Sequence, residues 1–331
     1  MLQLISGLHV SRALFVAAKL GLADLVAAGT HELDALAQVS QTDAASLLRL
    51  LRLLATVGVF AIDARGLIQL TPLAQTLQRD APASLQAWAV GQLGDEHYQA
   101  WGELLHSVRS GGSAFEHAFG QSPWQHRAQT PASAQAFDAG MSSFLQAHHA
   151  AVMAAYPFAR FGRLMDLAGG DGQLLVALLQ ACPDLHGAVF ELPHVANKAA
   201  QRLAAAGLSA RGHALSGNLF EAIPAGADAY VLSRVIHDWG DTDALGILRN
   251  ARAAASVGGC LLLVERLLAE RVEVSPTQQV IASSDLNMLV MTGGRERSAA
   301  QYRALLRDAG WRLTQVIDTG TALSVLEAVP M

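Results

Sequence analysis

The stretch RLMDLAGGDGQLLVALLQACPDLHGAVFEL, residues 163–192, decides the fold. Leu164 to Leu167 make a short apolar run that ends in Ala168-Gly169-Gly170. QLLVALLQAC (173–182) has helical spacing and is stopped by Pro183, and GAVFEL (187–192) reads as a second strand. Strand, glycine turn, helix and strand together form a parallel βαβ unit. Downstream the alternation continues. VANKAAQRLAAAG (195–207) is a helix closed by Gly207, ADAYVLS (227–233) a strand, ALGILRNARAAA (244–255) a helix and CLLLVE (260–265) a strand. The tail adds a helix, QYRALLRDAG (301–310), and two strands, WRLTQVIDTG (311–320) and TALSVLEAV (321–329). The expected class is α/β, a Rossmann-like doubly wound sheet with helices on both faces.

Upstream of about residue 160 the texture is helical, with Ala and Leu at three- and four-residue spacing. Leu33, Leu36 and Ala37 begin one stripe, and Leu47, Leu50, Leu51 and Leu54 form another, with turn and cap chemistry at Ser40 to Asp43 between them. VGVFAID (57–63) and LIQLTP (67–72) read as a hairpin turning at Gly66. Three helices and a hairpin make a winged helix. Segments near 84–108 and 131–155 are again helical. The expected domains are a winged-helix-like unit over 1–95, a helical connector over 96–160 and the catalytic sheet domain over 161–331.

A chain of 331 residues with 52% hydrophobic and 15% charged residues is globular and buries a large core. A net charge of −5 argues against a protein whose main work is holding nucleic acid. Two cysteines, Cys182 and Cys260, make no disulfide framework, the opening MLQLISGLHVSR has no basic leader pattern, and the longest uncharged stretch (139–159) carries Ser, Gln, His and Pro. A cytoplasmic protein with no membrane segment is expected.

Four groups of residues carry chemistry. The turn from Asp166 to Gly172 lies where the first parallel strand meets a helix, and strand C-termini form the binding edge of such sheets. It is neither a dinucleotide fingerprint, since Leu175 stands where a third glycine belongs, nor a P-loop, since no Gly-Lys-Ser/Thr follows. A tight strand–helix turn without a ligand explains the same glycines. Glu191 ends the second strand about 20 residues on, where a carboxylate can accept hydrogen bonds from both hydroxyls of a ribose. Together they suggest an adenosine-containing cofactor, with NAD and S-adenosylmethionine both open. His237, in Ile236-His237-Asp238-Trp239, follows a strand end and is a catalytic candidate, although a single such histidine is more often structural. Glu265, at the end of CLLLVE, lies at the same edge, and Glu296 sits in Gly293-Gly-Arg-Glu-Arg-Ser298. Asp241 or Thr242 is placed to cap the helix that follows.

These residues together resemble the S-adenosylmethionine-dependent O-methyltransferases of the plant caffeate and hydroxyindole type and their bacterial natural-product relatives. GLHVSRALFVAAKLGLADLV (7–26) is similar to the family's dimerisation helix, ELPHV (191–195) to its cofactor strand, VIHDWGD (235–241) to its catalytic motif, and residues 283–311 to its C-terminal signature. The resemblance implies a methyltransferase-type sheet with an antiparallel last strand, an N-terminal dimerisation domain and a homodimer. It implies S-adenosylmethionine as cofactor and S-adenosylhomocysteine as product. Ala168, Gly169 and Gly170 would line the cofactor's amino-acid end, Glu191 would hold the ribose, Asn218 and Leu219 would frame the adenine, and Ser233 would lie near the cofactor. His237 would be the general base, flanked by Glu265 and Glu296. The acceptor, a small aromatic secondary metabolite, would be met between the domains by Phe137, Met141, Phe144, Met288 and Met291. Departures from the family pattern fall at Ala168, commonly Gly, at Asn218, usually Asp, and at Ser233, often Lys in plant members.

The chemistry fits these residue types. A phenol with a pKa of about 10 is ionised roughly once in a thousand at pH 7, a penalty of about 4 kcal/mol. A positioned base typically returns about a hundred- to ten-thousand-fold. Neutral histidine suits the task, and a carboxylate fixes its tautomer and stabilises the cation it becomes. No metal is expected, because there is no HExxH or CxxC and His148 and His149 are adjacent. Three other readings remain to be weighed. A DNA-binding regulator would use TDAASLLRLLRLLATVG (42–58), which offers only Arg49 and Arg52. An NAD-dependent oxidoreductase lacks its third glycine. A family member with a changed reaction, such as a cyclase or decarboxylase, would keep the fold.

Overall fold

The computed structural model describes residues 1–82 and 84–331, and within them not the side chains of Ala132, Ser143, Gln146 and Ala147. Two compact units emerge, Met1–Gln99 with Arg127–Ala147, and Ala100–His126 with His148–Met331. The segment 96–160, expected as one connector, is therefore divided between them.

The first unit is built from helices Gly7–Lys19, Leu22–Ala27, Leu33–Val39 and Ala44–Thr56, followed by the hairpin strands β1 (Phe60–Ile62) and β2 (Ile68–Leu70). Local chemistry sets the boundaries. The Asp43 carboxylate accepts the Ser46 N–H at 2.8 Å and caps the fourth helix. The hairpin turns at Gly66, φ +82°, with Asp63 Oδ1 accepting the N–H groups of Arg65 and Leu67. The stripe Leu47, Leu51, Leu54 closes on Leu22, Leu36, Phe60 and Ile68. Each fully buried Leu or Ile there is worth about 1.5–3 kcal/mol. The opening residues are not absorbed into this core, and Met1, Leu2, Leu4, Ile5 and Leu8 stand exposed.

The second unit is organised by a seven-stranded sheet. Its strands are β3 (Arg163–Leu167), β4 (His186–Glu191), β5 (Gly212–Ser216), β6 (Ala229–Ser233), β7 (Cys260–Glu265), β8 (Trp311–Asp318) and β9 (Ser324–Pro330). Their order is β5-β4-β3-β6-β7-β9-β8. β3 to β7 run parallel, and β9 pairs antiparallel with both β7 and β8. The chain runs outward from β3 through β4 to β5, then returns to the other side of β3 as β6. This reversal opens a crevice at the C-terminal ends of β3 and β6.

Period-two alternation distributes the core. Met165, Leu167, Tyr230, Leu232, Leu261 and Leu263 pack on one face with the helices Asp241–Ala254 and Ala299–Asp308. Leu164, Ala229, Val231, Leu262 and Val264 pack on the other with Gln173–Ala181 and Pro193–Ala205. Gly172, φ +79°, lets helix and strand close up, since a Cβ there would sit 3.3 Å from both Ala199 and Val189. Because both faces are covered, polar groups are admitted chiefly at the strand ends.

Among the described residues no helix is long and apolar enough to cross a membrane. The cap expected at Asp241 or Thr242 is not formed. Gly240 is the N-cap residue with no side-chain cap, and Asp241 Oδ1 instead accepts hydrogen bonds from the buried guanidinium of Arg297 at 2.8 and 3.0 Å. A charge-assisted bond to a buried cation outweighs a cap worth about 1 kcal/mol.

Candidate active site

β6 ends at Ser233, Arg234 turns through φ +56°, and the chain enters a single 3-10 turn, Ile236–Asp238, that carries His237. The imidazole is almost fully buried. Its Nδ1 lies 3.0 Å from Glu296 Oε1 and 3.8 Å from Glu265 Oε2, and its Nε2 lies 3.8 Å from Asp238 Oδ1. A carboxylate only accepts, so Nδ1 carries the proton toward Glu296 and the Nε2 lone pair is left to take another.

The two glutamates do different work. Glu265, the last residue of β7, accepts the backbone N–H groups of Val235 (3.2 Å) and Ile236 (2.9 Å) through Oε1. It holds the turn more than it holds the ring. Glu296, in the loop before the helix Ala299–Asp308, orients the ring and also accepts the Ser284 hydroxyl at 2.6 Å. Its own N–H donates to Asp285 Oδ1.

Three contributions to the turn lie beyond the sequence reading. Arg297 donates to the carbonyls of Ile236 (3.1 Å) and Trp239 (2.8 Å), stapling both ends of the segment. Gly294 lies against it so closely that a Cβ would collide with the His237 carbonyl and the Asp238 backbone. The Arg295 N–H donates to the His237 carbonyl at 2.8 Å. The only sequence signal for these is the compact Gly-Gly-Arg-Glu-Arg run, which marks a tight, charged loop but names no partner.

Charge follows geometry. Burial alone would hold His237 down, but Glu265, Asp238 and Glu296 together outweigh it and raise its pKa. Burial likewise acts to raise Glu296, yet His237, Ser284 and Arg266 leave it lowered, an ionised partner for the imidazole. Glu265, enclosed completely, is pushed up to about 7 by burial. One ligand atom each from His237, Glu265 and Glu296 lie within 4.8 Å of one another, a spacing a cation could use. Oε1 of each glutamate is engaged from within, on Glu296 by the imidazole and the Ser284 hydroxyl and on Glu265 by two N–H groups, while Oε2 of each is buried without a hydrogen bond among the described residues.

The glycine turn occupies the neighbouring strand end. Ala168 has φ +52° and Gly170 φ +58°. Left-handed backbone costs a non-glycine residue roughly 1–2 kcal/mol, which explains why glycine suits position 168. A Cβ on Gly169 would collide with the Asp166 carboxylate, whereas one on Gly170 would meet only open space. Glu191 accepts the Gly170 N–H at 3.2 Å and the Leu192 N–H at 2.7 Å. Asp166 is buried and neither of its carboxyl oxygens has a hydrogen-bond partner. Burial, then Glu191, pushes its pKa up to about 7. A buried acid without a partner beside an open glycine cradle fits a ligand that brings a cationic donor and hydroxyls, as an amino-acid nucleoside does.

The other expected residues divide. Ser233 ends β6 half-buried at the same sheet edge. Asn218 is committed to a local turn, accepting the Phe220 N–H and donating to Glu221, and the Leu219 carbonyl accepts from Asn250. Phe137 lies under the Arg127 guanidinium at 3.7 Å, Phe144 stacks on Trp88 at 4.3 Å, and Met141 is half-buried. These three belong to the first unit, and Met288 and Met291 to the second. Met291 packs with Ala100, Ala114, Phe115 and Val290 in the second unit.

Comparison with known proteins identifies the family. Residues 101–312 match the O-methyltransferase domain, and residues 2–80 match the O-methyltransferase dimerisation domain. The chain belongs to the O-methyltransferase family, and as a member it is an S-adenosylmethionine-dependent O-methyltransferase. It is 38% identical over 331 residues to the phenazine O-methyltransferase PhzM of Lysobacter antibioticus, covering 100% of this chain and 96% of that one. The structure of the mitomycin 7-O-methyltransferase MmcR matches with a TM-score of 0.92 at 36% identity, covering 99% and 96% of the two chains. That of NcsB1, an O-methyltransferase from neocarzinostatin biosynthesis in complex with S-adenosylmethionine and 2-hydroxy-5-methyl naphthoic acid, matches with a TM-score of 0.84 at 34% identity, covering 97% and 96%.

Proposed function

We propose that the chain transfers a methyl group to a hydroxyl of a small aromatic secondary metabolite, with Nε2 of His237 as the general base. The observation that carries this reading is the 3.0 Å contact between His237 Nδ1 and Glu296, which fixes the tautomer and frees Nε2 at the end of β6, one strand from the glycine turn. The bound cofactor supplies an electrophilic methyl group. The protein's part is to ready the oxygen. Nε2 takes the hydroxyl proton, and Glu296 and Glu265 stabilise the imidazolium that results. Enclosure of the turn keeps competing water from the base. Ala168, Gly169, Gly170, Asp166, Glu191 and Ser233 form the cofactor end. Asn218 and Leu219 contribute there only through the turn they build. Phe137, Met141, Phe144 and Met288 are the proposed acceptor contacts. Relatives named for phenazine, naphthoate and aminohydroxybenzoate substrates support an aromatic acceptor.

Substitution His237→Gln is expected to lower turnover of hydroxynaphthoate or hydroxyphenazine acceptors by about a hundred- to ten-thousand-fold. Calorimetric affinity for S-adenosylhomocysteine should be nearly unchanged. Wild-type turnover in the variant would remove His237 from the mechanism. No feature of the site favours the DNA-binding or changed-reaction readings.

The match to a dimerisation domain and the exposed Leu2, Leu4, Ile5 and Leu8 support a homodimer through the N-terminal helices. Light scattering should give about twice the chain mass, and a stable monomer would refute it.

A further inference from the structure

Three groups from three separate elements stand in a row behind the base. Arg266, the residue after β7, donates through Nη1 to Ser284 Oγ at 2.6 Å. Ser284, on the helix Pro276–Met291, donates to Glu296 Oε1 at 2.6 Å. The same oxygen faces His237 Nδ1 at 3.0 Å. A serine hydroxyl has one proton. Because Arg266 donates to Oγ, that proton is committed to Glu296, and the direction of the row is set.

We propose that Ser284 and Arg266 are positioning residues that set the basicity of His237 through Glu296. The proposal rests on the reading of His237 as general base. The imidazole is pressed toward protonation by Asp238 in its own turn, by Glu265 at the end of β7 and by Glu296. An imidazolium accepts no proton, so the pull of these carboxylates must be limited. Every donor on Glu296 spreads its charge and weakens its hold on the ring. Ser284 supplies the shortest such donor, and Arg266 adds a buried positive charge 3.8 Å from the same oxygen. The surrounding groups complete the balance. Arg234 lies half-buried among the same three carboxylates, Asp285 accepts the Glu296 N–H and faces Arg295 and Arg297, and the Tyr302 phenol, on the helix Ala299–Asp308, faces both glutamates. Arg297 faces Asp241 and the turn's carbonyls.

The test is a ligand-free titration by NMR of protein labelled with carbon-13 at histidine Cε1. The His237 signal is assigned by its loss in His237→Gln. Ser284→Ala should move the His237 titration upward by about one pH unit, equivalent to roughly tenfold less free base on the acid side. Ser284→Thr keeps the hydroxyl and should superpose on wild type. Arg266→Gln should move the titration in the same upward direction by a smaller amount. The remaining histidine signals report the fold in each variant. A Ser284→Ala curve that superposes on wild type, or moves down, overturns the proposal. The two readings fail separately. Full turnover in His237→Gln would defeat the base assignment whatever the titrations show. An inactive His237→Gln with superposed titrations would defeat only the role of Ser284 and Arg266.

Discussion

Two buried acidic centres lie at adjacent strand ends of one sheet, and they are finished differently. At the end of β6 and β7 the turn bearing His237 is tied from every side, by Glu265 on its amides, Arg297 on its carbonyls and Glu296 on its ring. At the end of β3, Asp166 is equally buried yet both its oxygens lack a partner. The first centre is tied through one oxygen of each glutamate, with only their Oε2 atoms left without a hydrogen bond among the described residues. The second is left for a ligand to complete. A base must be aimed before its substrate arrives, so its orientation is held by the protein. A cofactor cradle gains affinity from groups it satisfies only on binding, and the free chain carries that cost as unmet polar atoms.

The contrast can be broken by substitution. The largest effect is expected at the tied centre. Arg297→Ala leaves the carbonyls of Ile236 and Trp239 without their donor and should cost about 3 kcal/mol, read by urea denaturation. A loss near zero would mean the turn is held without Arg297, by Glu265, Glu296 and the Arg295 N–H. At the open centre the effect depends on pH. Asp166 titrates near 3.8 when unfolded and at about 7 when folded, so the folded state retains a proton that the unfolded state releases. Its contribution is most favourable below about pH 4 and is lost as pH rises toward 7. Melting temperatures of Asp166→Asn should fall less across that window than those of wild type. Parallel curves would show that Asp166 has a partner after all. The smallest change is Ala168→Gly. It relieves left-handed backbone at an alanine and should stabilise by about 1 kcal/mol, measured by the same denaturation.

Legibility follows the same division. The apolar run Leu164 to Leu167, the glycines after it and His237 past the end of ADAYVLS announce themselves through local pattern, and the sheet edge collects them. The dimerisation unit is equally plain, because its stripes and hairpin are short-range features. What the sequence withholds is pairing over distance. His237 meets Glu296 across 59 positions, and Arg297 reaches the Ile236 carbonyl across 61. Ser284 is one of two adjacent serines in a helix whose apolar residues show no clear stripe. Asp241 looks like a cap until a buried guanidinium claims it. Met288 and Met291 show the same ambiguity, because a methionine at helical spacing reads the same in a core as in a pocket.

Gly294 and Gly240 flank the same active-site turn, and they face opposite fates under random mutation. Around Gly240 a methyl group meets nothing, and its backbone is extended, so many residues fit there. At Gly294 even alanine drives into the His237 carbonyl. In a lineage drifting toward new acceptors, position 240 is free to explore while position 294 is frozen. Substitutions that retune the acceptor are therefore expected around the base, while position 294 behind the histidine is closed to any side chain.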